Sequence, residues 1–113
     1  MGLFSSKPAE NLPRCKLCDK VLTTDEERSI ELCTGHALIL DADVKSTVET
    51  INEFQPLANA ATDPDEKIRY LTGMLGSLYK LKIKYYDNDV HPLDQDIDEL
   101  IDSVIDCISK ARL

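Results

Sequence analysis

Four side chains that bind soft metal ions occur as two pairs near the start of the chain, Cys15 with Cys18 and Cys33 with His36. Two residues separate the members of each pair, so each pair can turn both ligand atoms toward one side of a tight backbone turn. Three thiolates and one imidazole complete a tetrahedron around Zn²⁺. Protein atoms then take every coordination position, which leaves none for water or substrate. The spacing therefore predicts one structural zinc ion per chain rather than a catalytic one.

Other chemistries of the same cysteines fit the sequence less well. A redox C-x-x-C motif is expected to open a helix among alternating strands and helices, whereas here a second ligand pair follows. Four cysteines could form disulfides in an extracellular protein, but no apolar signal segment follows Met1. A zinc deaminase needs His-x-Glu ahead of Pro-Cys-x-x-Cys, and the order is reversed here. The fourth cysteine, Cys107, borders an apolar helical stripe and is expected to be a buried small hydrophobe.

The segment between the two pairs must position them. Residues 20–22 and 29–32 are short, partly apolar runs around a polar stretch, and this pattern predicts a short β-hairpin. A cysteine turn, a hairpin and a ligand pair near the start of a helix, from Pro13 to about Phe54, resemble a treble-clef zinc finger, including the small C-x2-C…C-x2-H fingers. The resemblance implies a structural metal and a role in binding protein or nucleic acid.

Downstream of the metal ligands, apolar residues recur at spacings of three and four, which is typical of amphipathic helices. Three helices are predicted, over about 37–55, 64–86 and 93–111. Because each has one apolar stripe, they are expected to pack as an antiparallel three-helix bundle. Gly73 and Gly76 lie inside the second helix, where close approach of another helix would explain them.

Two local signals set the predicted helix boundaries. Pro56 lacks an amide and clashes with the preceding turn, so the first helix is expected to stop or kink near Gln55. Asp63 is expected to cap the second helix, with Glu66 reaching back to complete a capping box.

The sequence therefore predicts a mainly α protein, in which an N-terminal zinc finger with a short β-hairpin precedes the helical bundle. A flexible tail is expected over residues 1–12, the zinc finger module over 13–40 and the bundle over 41–113. Within the tail, Gly2 and Ser6 match the pattern of an N-myristoylation acceptor. Membrane binding is expected only if Gly2 is acylated.

Charge favours a protein partner over nucleic acid. The net charge of -8 repels phosphate backbones at long range. The last predicted helix carries an acidic face that can bind a basic protein or mimic nucleic-acid phosphates. The candidate partner-binding residues on and beside this helix are Asp94, Asp98, Glu99, Asp102 and Asp106.

The sequence favours a non-enzymatic role. It has no Gly-rich phosphate loop, nucleophile elbow or H-E-x-x-H motif. The leading prediction is a soluble, cytoplasmic, zinc-stabilised interaction module that works as an adaptor or an inhibitor by occupying a partner's surface. A self-assembling structural protein, such as a homodimer, is one alternative. A nucleic-acid-binding regulator is the other, and it would use the basic residues around the zinc finger, which are Arg14, Lys16, Lys20 and Arg28.

Overall fold

The computed structural model of the chain describes residues 12–113, and within them the fold is mainly helical, with four α-helices and no β-strand. The mainly α prediction is confirmed. The Gly2 acylation pattern lies outside the described residues. The chain divides into two compact units, Met1–Leu40 and Asp41–Leu113. The helices are α1 (Asp25–Ile30), α2 (Thr34–Ala60), α3 (Pro64–Lys84) and α4 (Ile97–Ala111), with a 3₁₀ turn over Tyr86–Asn88.

In the first unit, a single antiparallel bridge pairs Arg14 with Val21 and closes the loop that carries the first two cysteines. The Cys15 amide donates a hydrogen bond to the Lys20 carbonyl at 2.8 Å. Asp19 turns the chain back with a φ of 62°, a left-handed conformation that aspartate adopts more readily than bulky residues. The result is a tight turn that presents two thiols.

The predicted β-hairpin between the ligand pairs is wrong, because Asp25–Ile30 forms helix α1. A capping box starts this helix. The Thr24 hydroxyl accepts a hydrogen bond from the Glu27 amide at 3.1 Å, and the Glu27 carboxylate accepts one from the Thr24 amide at 3.3 Å. Acidic residues fill the first turn, where the helix dipole favours negative charge. The capping box and the acidic first turn favour a helix more strongly than the two partly apolar runs favour strands.

Helix α2 begins at Thr34, directly after Cys33, and runs to Ala60. The helix continues past Pro56, so the predicted end near Gln55 is wrong. Ala58 is only 1% exposed and belongs to the core of the second unit. Its burial offsets the hydrogen bond that proline cannot make.

One apolar core holds the second unit together and takes side chains from three helices. The ring of Phe54 lies against Gly73, where a Cβ would stand 2.6 Å from the ring edge, so a close approach explains this glycine. A Cβ on Gly76 would meet nothing within 4 Å, so the same explanation fails there. The buried core residues are Ala58 from α2, Leu71, Met74 and Leu78 from α3, and Ile97, Ile101 and Val104 from α4.

Helix α3 is capped by Asp63, whose carboxylate accepts a hydrogen bond from the Asp65 amide at 3.2 Å. Glu66 does not complete the predicted capping box. It instead accepts a hydrogen bond from the Tyr70 hydroxyl at 3.1 Å, one turn further along the same helix.

Helix α4 begins at Ile97, after Asp96 caps it by accepting a hydrogen bond from the Asp98 amide at 2.8 Å. The start predicted near residue 93 is therefore too early. Cys107 is exposed on this helix, so the prediction of a buried cysteine is wrong. Within residues 12–113, no helix has the length and apolar character needed to cross a bilayer.

Candidate metal centre

The two predicted ligand pairs meet at one point in the first unit. The Sγ atoms of Cys15, Cys18 and Cys33 and one ring nitrogen of His36 all lie within 4.8 Å of one another. The Sγ atoms of Cys18 and Cys33 are 3.8 Å apart. The Nδ1 atom of His36 lies 3.3 Å from the Cys33 Sγ and 3.6 Å from the Cys15 Sγ. The four residues can therefore hold one metal ion.

The distances fit a tetrahedral ion. Zinc–sulfur bonds of roughly 2.3 Å put the corners of a regular tetrahedron about 3.8 Å apart, and the separation between Cys18 and Cys33 is 3.8 Å. A disulfide would need a sulfur–sulfur distance near ~2.0 Å, and all four cysteines are free thiols. The donor set of three sulfurs and one imidazole nitrogen suits Zn²⁺.

Secondary structure explains why the ligands converge. Cys15 and Cys18 sit on the turn closed by the Arg14 bridge, whereas Cys33 directly precedes α2 and His36 lies in its first turn. The two sides of the site differ in exposure. Cys15 is 1% and Cys33 6% exposed, and Cys18 is exposed to solvent.

The surroundings of Cys15 favour its thiolate form even without a bound cation. Burial raises the pKa of the Cys15 thiol, but hydrogen bonds from the backbone of Cys33, Leu17 and Cys18 lower it to about 6. A backbone hydrogen bond from Lys20 lowers the pKa of Cys18, but partial desolvation and the neighbouring thiols of Cys15 and Cys33 raise it overall, because they disfavour a second negative charge. A bound cation would offset this repulsion and draw all three thiols into the thiolate form.

Glu27 holds together the segment between the two ligand pairs. Its role was not predicted from the sequence. Its Oε1 atom accepts a hydrogen bond from the Thr23 amide at 2.9 Å, and its Oε2 atom accepts one from the Thr34 amide at 2.8 Å. The Thr34 hydroxyl also donates to Oε2, at 3.0 Å. Hydrogen bonds from the backbone of Thr23 and Thr34 lower the pKa of Glu27 to about 2. The signal that could have found it is the capping-box spacing from Thr24 to Glu27.

A second link joins the first cysteine turn to the segment before Cys33. The Lys16 amide donates a hydrogen bond to the Glu31 carbonyl at 3.0 Å, and the two side chains form an ion pair at 3.0 Å. Glu31 ends α1 with a φ of 63°, which turns its carbonyl toward the cysteine turn. Together with Glu27, this contact fixes the spacing of the two ligand pairs.

Three of the four basic residues that a nucleic-acid site would need have partners within the chain, two of them carboxylates. Lys16 pairs with Glu31, and Arg28 pairs with Asp25 at 2.5 Å. The Nη1 atom of Arg14 donates to a backbone carbonyl at 2.9 Å. Basic side chains with internal partners have less capacity to contact phosphates.

Only some carboxylates of the predicted acidic surface lack an ion-pair partner among residues 12–113. The Asp98 carboxylate accepts from Lys82 at 2.7 Å, and Asp106 pairs with Lys110 at 2.9 Å. Among residues 12–113, Glu99 and Asp102 have no ion-pair partner, and both are exposed on α4. Asp94 lies before α4 begins and so is not on the helix face.

A polar cluster around the buried Tyr85 links α2 to the end of α3 in the second unit. The Tyr85 side chain is 0% exposed, and its hydroxyl donates a hydrogen bond to the Asp43 carboxylate. Lys84 donates to the same carboxylate at 2.8 Å. Burial, then the Asp43 contact, raises the pKa of Tyr85, and the Lys84 and Tyr85 hydrogen bonds lower the pKa of Asp43.

The fold and the site together define a class: a mainly helical protein in which a candidate Cys3His metal centre precedes the helical core in sequence. The predicted cysteine turn and the ligand pair at a helix start are both present, but α1 replaces the hairpin of a treble-clef finger. No family model, curated protein or solved structure matches the chain. Its function is therefore inferred from its own residues.

Proposed function

We propose that the protein is a non-enzymatic interaction module whose first unit is held by one structural Zn²⁺, bound by Cys15, Cys18, Cys33 and His36. The observation that best supports this is the convergence of four zinc-type ligand atoms within 4.8 Å. Four protein ligands leave the ion no coordination position for substrate. Function then rests on exterior surfaces, and the protein acts as an adaptor or an inhibitor by covering a partner's surface.

A protein partner fits the charges better than nucleic acid does. The chain has a net charge of -8, and three of the four basic residues around the metal centre have partners within the chain. The unpaired carboxylates Glu99 and Asp102 on α4 provide an exposed acidic surface for a basic protein.

The thiols also indicate a compartment. All four cysteines are free, and three of them must stay reduced to bind the metal. We therefore place the protein in a reducing compartment such as the cytoplasm.

Native mass spectrometry of protein purified without chelators tests the metal. We expect one zinc ion per chain, and tetrahedral d–d absorption bands when Co²⁺ replaces it. Cys18→Ser should lose the ion, whereas the matched variant Cys107→Ser, outside the cluster, should keep it. Metal-free protein with a folded first unit, or full metal content in Cys18→Ser, would contradict the proposal.

The choice of partner class is tested by salt dependence. Binding through phosphate contacts falls steeply as salt is added. We expect no binding of DNA or RNA at low salt. Tight binding that weakens steeply with salt would replace the protein-partner proposal with a nucleic-acid-binding role.

A further inference from the structure

The second unit has an apolar groove of about 200 Å³ along its core. Its floor is the buried face of α3, where Leu71 and Met74 are each 6% exposed. Ile51 of α2 forms one wall and Leu100 of α4 the other. Residues of α2 and α4 thus flank this face of α3 and leave a narrow groove over it.

The dimensions of the groove suit a helix better than a small molecule. On α4 the lining runs from Leu100 to Cys107, which is two turns or roughly 10 Å at about 1.5 Å per residue. A helix docked in a groove inserts side chains at spacings of three, four and seven, over the same two turns. Small-molecule pockets usually enclose about 300 Å³ or more, which exceeds the 200 Å³ of this groove.

The charged and polar residues around the groove indicate which side chains should flank the apolar face of the docked helix. Ser103 lies at the groove mouth, and Glu99 lies one turn before it, exposed and without an ion-pair partner among residues 12–113. Asp106 lies one turn after Ser103 and pairs with Lys110. The opposite edge carries the neutral amides of Gln55 and Asn59.

We infer that this groove docks one amphipathic helix of a partner protein, with aliphatic side chains on one face and lysine or arginine beside it. The inference rests on the proposed function and names the surface that performs it. A second copy of the chain is a poorer occupant, because each copy carries a charge of -8 and the two acidic α4 helices would repel one another.

A synthetic amphipathic helix of about four turns, with leucines at spacings of three and four and lysines on both flanks, is the probe. We expect it to bind the full-length, metal-loaded protein in fluorescence anisotropy. The same peptide with glutamates in place of the lysines should bind about tenfold more weakly or worse. Bound peptide should also slow alkylation of the exposed Cys107 thiol, which lines the groove.

Two matched variants of α4 locate the binding site. Ser103→Phe fills the groove mouth and should weaken binding about tenfold or more, whereas Ser109→Phe adds the same ring on another face and should not. Glu99→Gln should weaken binding of the lysine peptide only. Ser103 and Ser109 are both exposed, so both variants should fold, which circular dichroism can check.

Three results would overturn the inference. The first is equal binding of the lysine and glutamate peptides, and the second is unchanged binding in Ser103→Phe. The third is a dimer of the free protein that Ser103→Phe abolishes, because the occupant would then be a second copy. If these occur while one zinc ion per chain is still found, the groove has failed but the proposed module has not. A protein without metal would contradict the proposed module itself.

Discussion

The Glu27 carboxylate accepts two hydrogen bonds from Thr34, one from its amide at 2.8 Å and one from its hydroxyl at 3.0 Å. Thr34 follows Cys33 directly and is the first residue of α2. The other Glu27 oxygen holds the backbone at Thr23, ahead of α1. One carboxylate therefore sets where the second ligand pair stands relative to the start of α1.

Replacing Glu27 should weaken metal binding. Glu27→Gln replaces one carboxylate oxygen with an NH2 group, which cannot accept hydrogen bonds from the amides it would face. Groups that orient metal ligands through such bonds typically contribute about tenfold to a hundredfold in affinity. We expect a loss of about tenfold for Glu27→Gln and little change for the exposed neighbour, Glu26→Gln, in competition with a chromophoric chelator. Equal affinities in the two variants would contradict this role.

Removing the metal should unfold the first unit selectively. Structural zinc in finger peptides contributes about 10 to 16 kcal/mol of apparent binding free energy at neutral pH, and among residues 12–40 of this unit the buried apolar side chains are few. After chelation we expect trypsin to cut first at Arg14, Lys16, Lys20 and Arg28, while Lys82 in α3 stays protected. Adding Zn²⁺ back should restore resistance. Uniform cleavage of both units would show that the metal does not act locally.

The two glycines of α3 should respond differently to alanine. Alanine is favoured over glycine in a helix by about 1 kcal/mol, and a Cβ at Gly76 has open space, so Gly76→Ala should raise the unfolding free energy. At Gly73 the new methyl would lie 2.6 Å from the Phe54 ring. Overpacking of this kind costs about 1 to 3 kcal/mol. Chemical denaturation should therefore rank Gly76→Ala above Gly73→Ala. The reverse order would mean that α2 does not pack closely against Gly73.

The cluster of Asp43, Lys84 and the buried Tyr85 should make stability depend on pH at both extremes. The pKa of Asp43 is lowered below its ordinary 3.8, so its contribution is complete above that value and is lost as pH falls through the folded-state value. The pKa of Tyr85 is raised above its ordinary 10, so its contribution is complete below pH 10 and is lost at higher pH. We expect Asp43→Asn to flatten the acid side of the stability profile, and Tyr85→Phe the alkaline side.

At neutral pH, Tyr85→Phe keeps the ring and removes one buried hydrogen bond, which should cost about 1 to 2 kcal/mol. Tyr70→Phe removes the hydroxyl that donates to Glu66 on the surface of α3, and it should change stability much less. Thermal unfolding of the two variants gives the comparison. Equal losses would mean that burial of the Asp43 contact adds nothing.

The convergence of the four candidate metal ligands could be predicted from the sequence because their positions depend mainly on short-range geometry. Each pair spans four residues, so the Cys15 turn and the start of α2 place two ligands each without help from distant residues. Glu27 could not be assigned in the same way, since its role depends on contact with Thr34 across the end of α1. The capping-box spacing from Thr24 to Glu27 is present in the sequence, but the short, partly apolar runs on either side of it suggested a hairpin.

Tertiary packing explains the other errors. The course of α2 past Pro56 depends on burial of Ala58 in a core to which α3 and α4 contribute, and no local pattern reports this. Cys107 borders the apolar stripe of α4 in sequence, but the stripe is covered only where α3 packs on it. The thiol therefore lies at the edge of the groove, exposed to solvent.

Helix α2 continues past a residue that has no amide to donate, so the Asn52 carbonyl, four residues before Pro56, lacks its helical hydrogen bond. The final turn, residues 57–60, keeps backbone hydrogen bonds, among them one from the Ala61 amide to the Leu57 carbonyl at 3.0 Å, and Ala58 is its one buried side chain. We expect this turn to fray on its own, with fast hydrogen exchange, while α3 stays closed. Since Ala58 and Asn59 line the groove, fraying of this turn would widen the groove on that side.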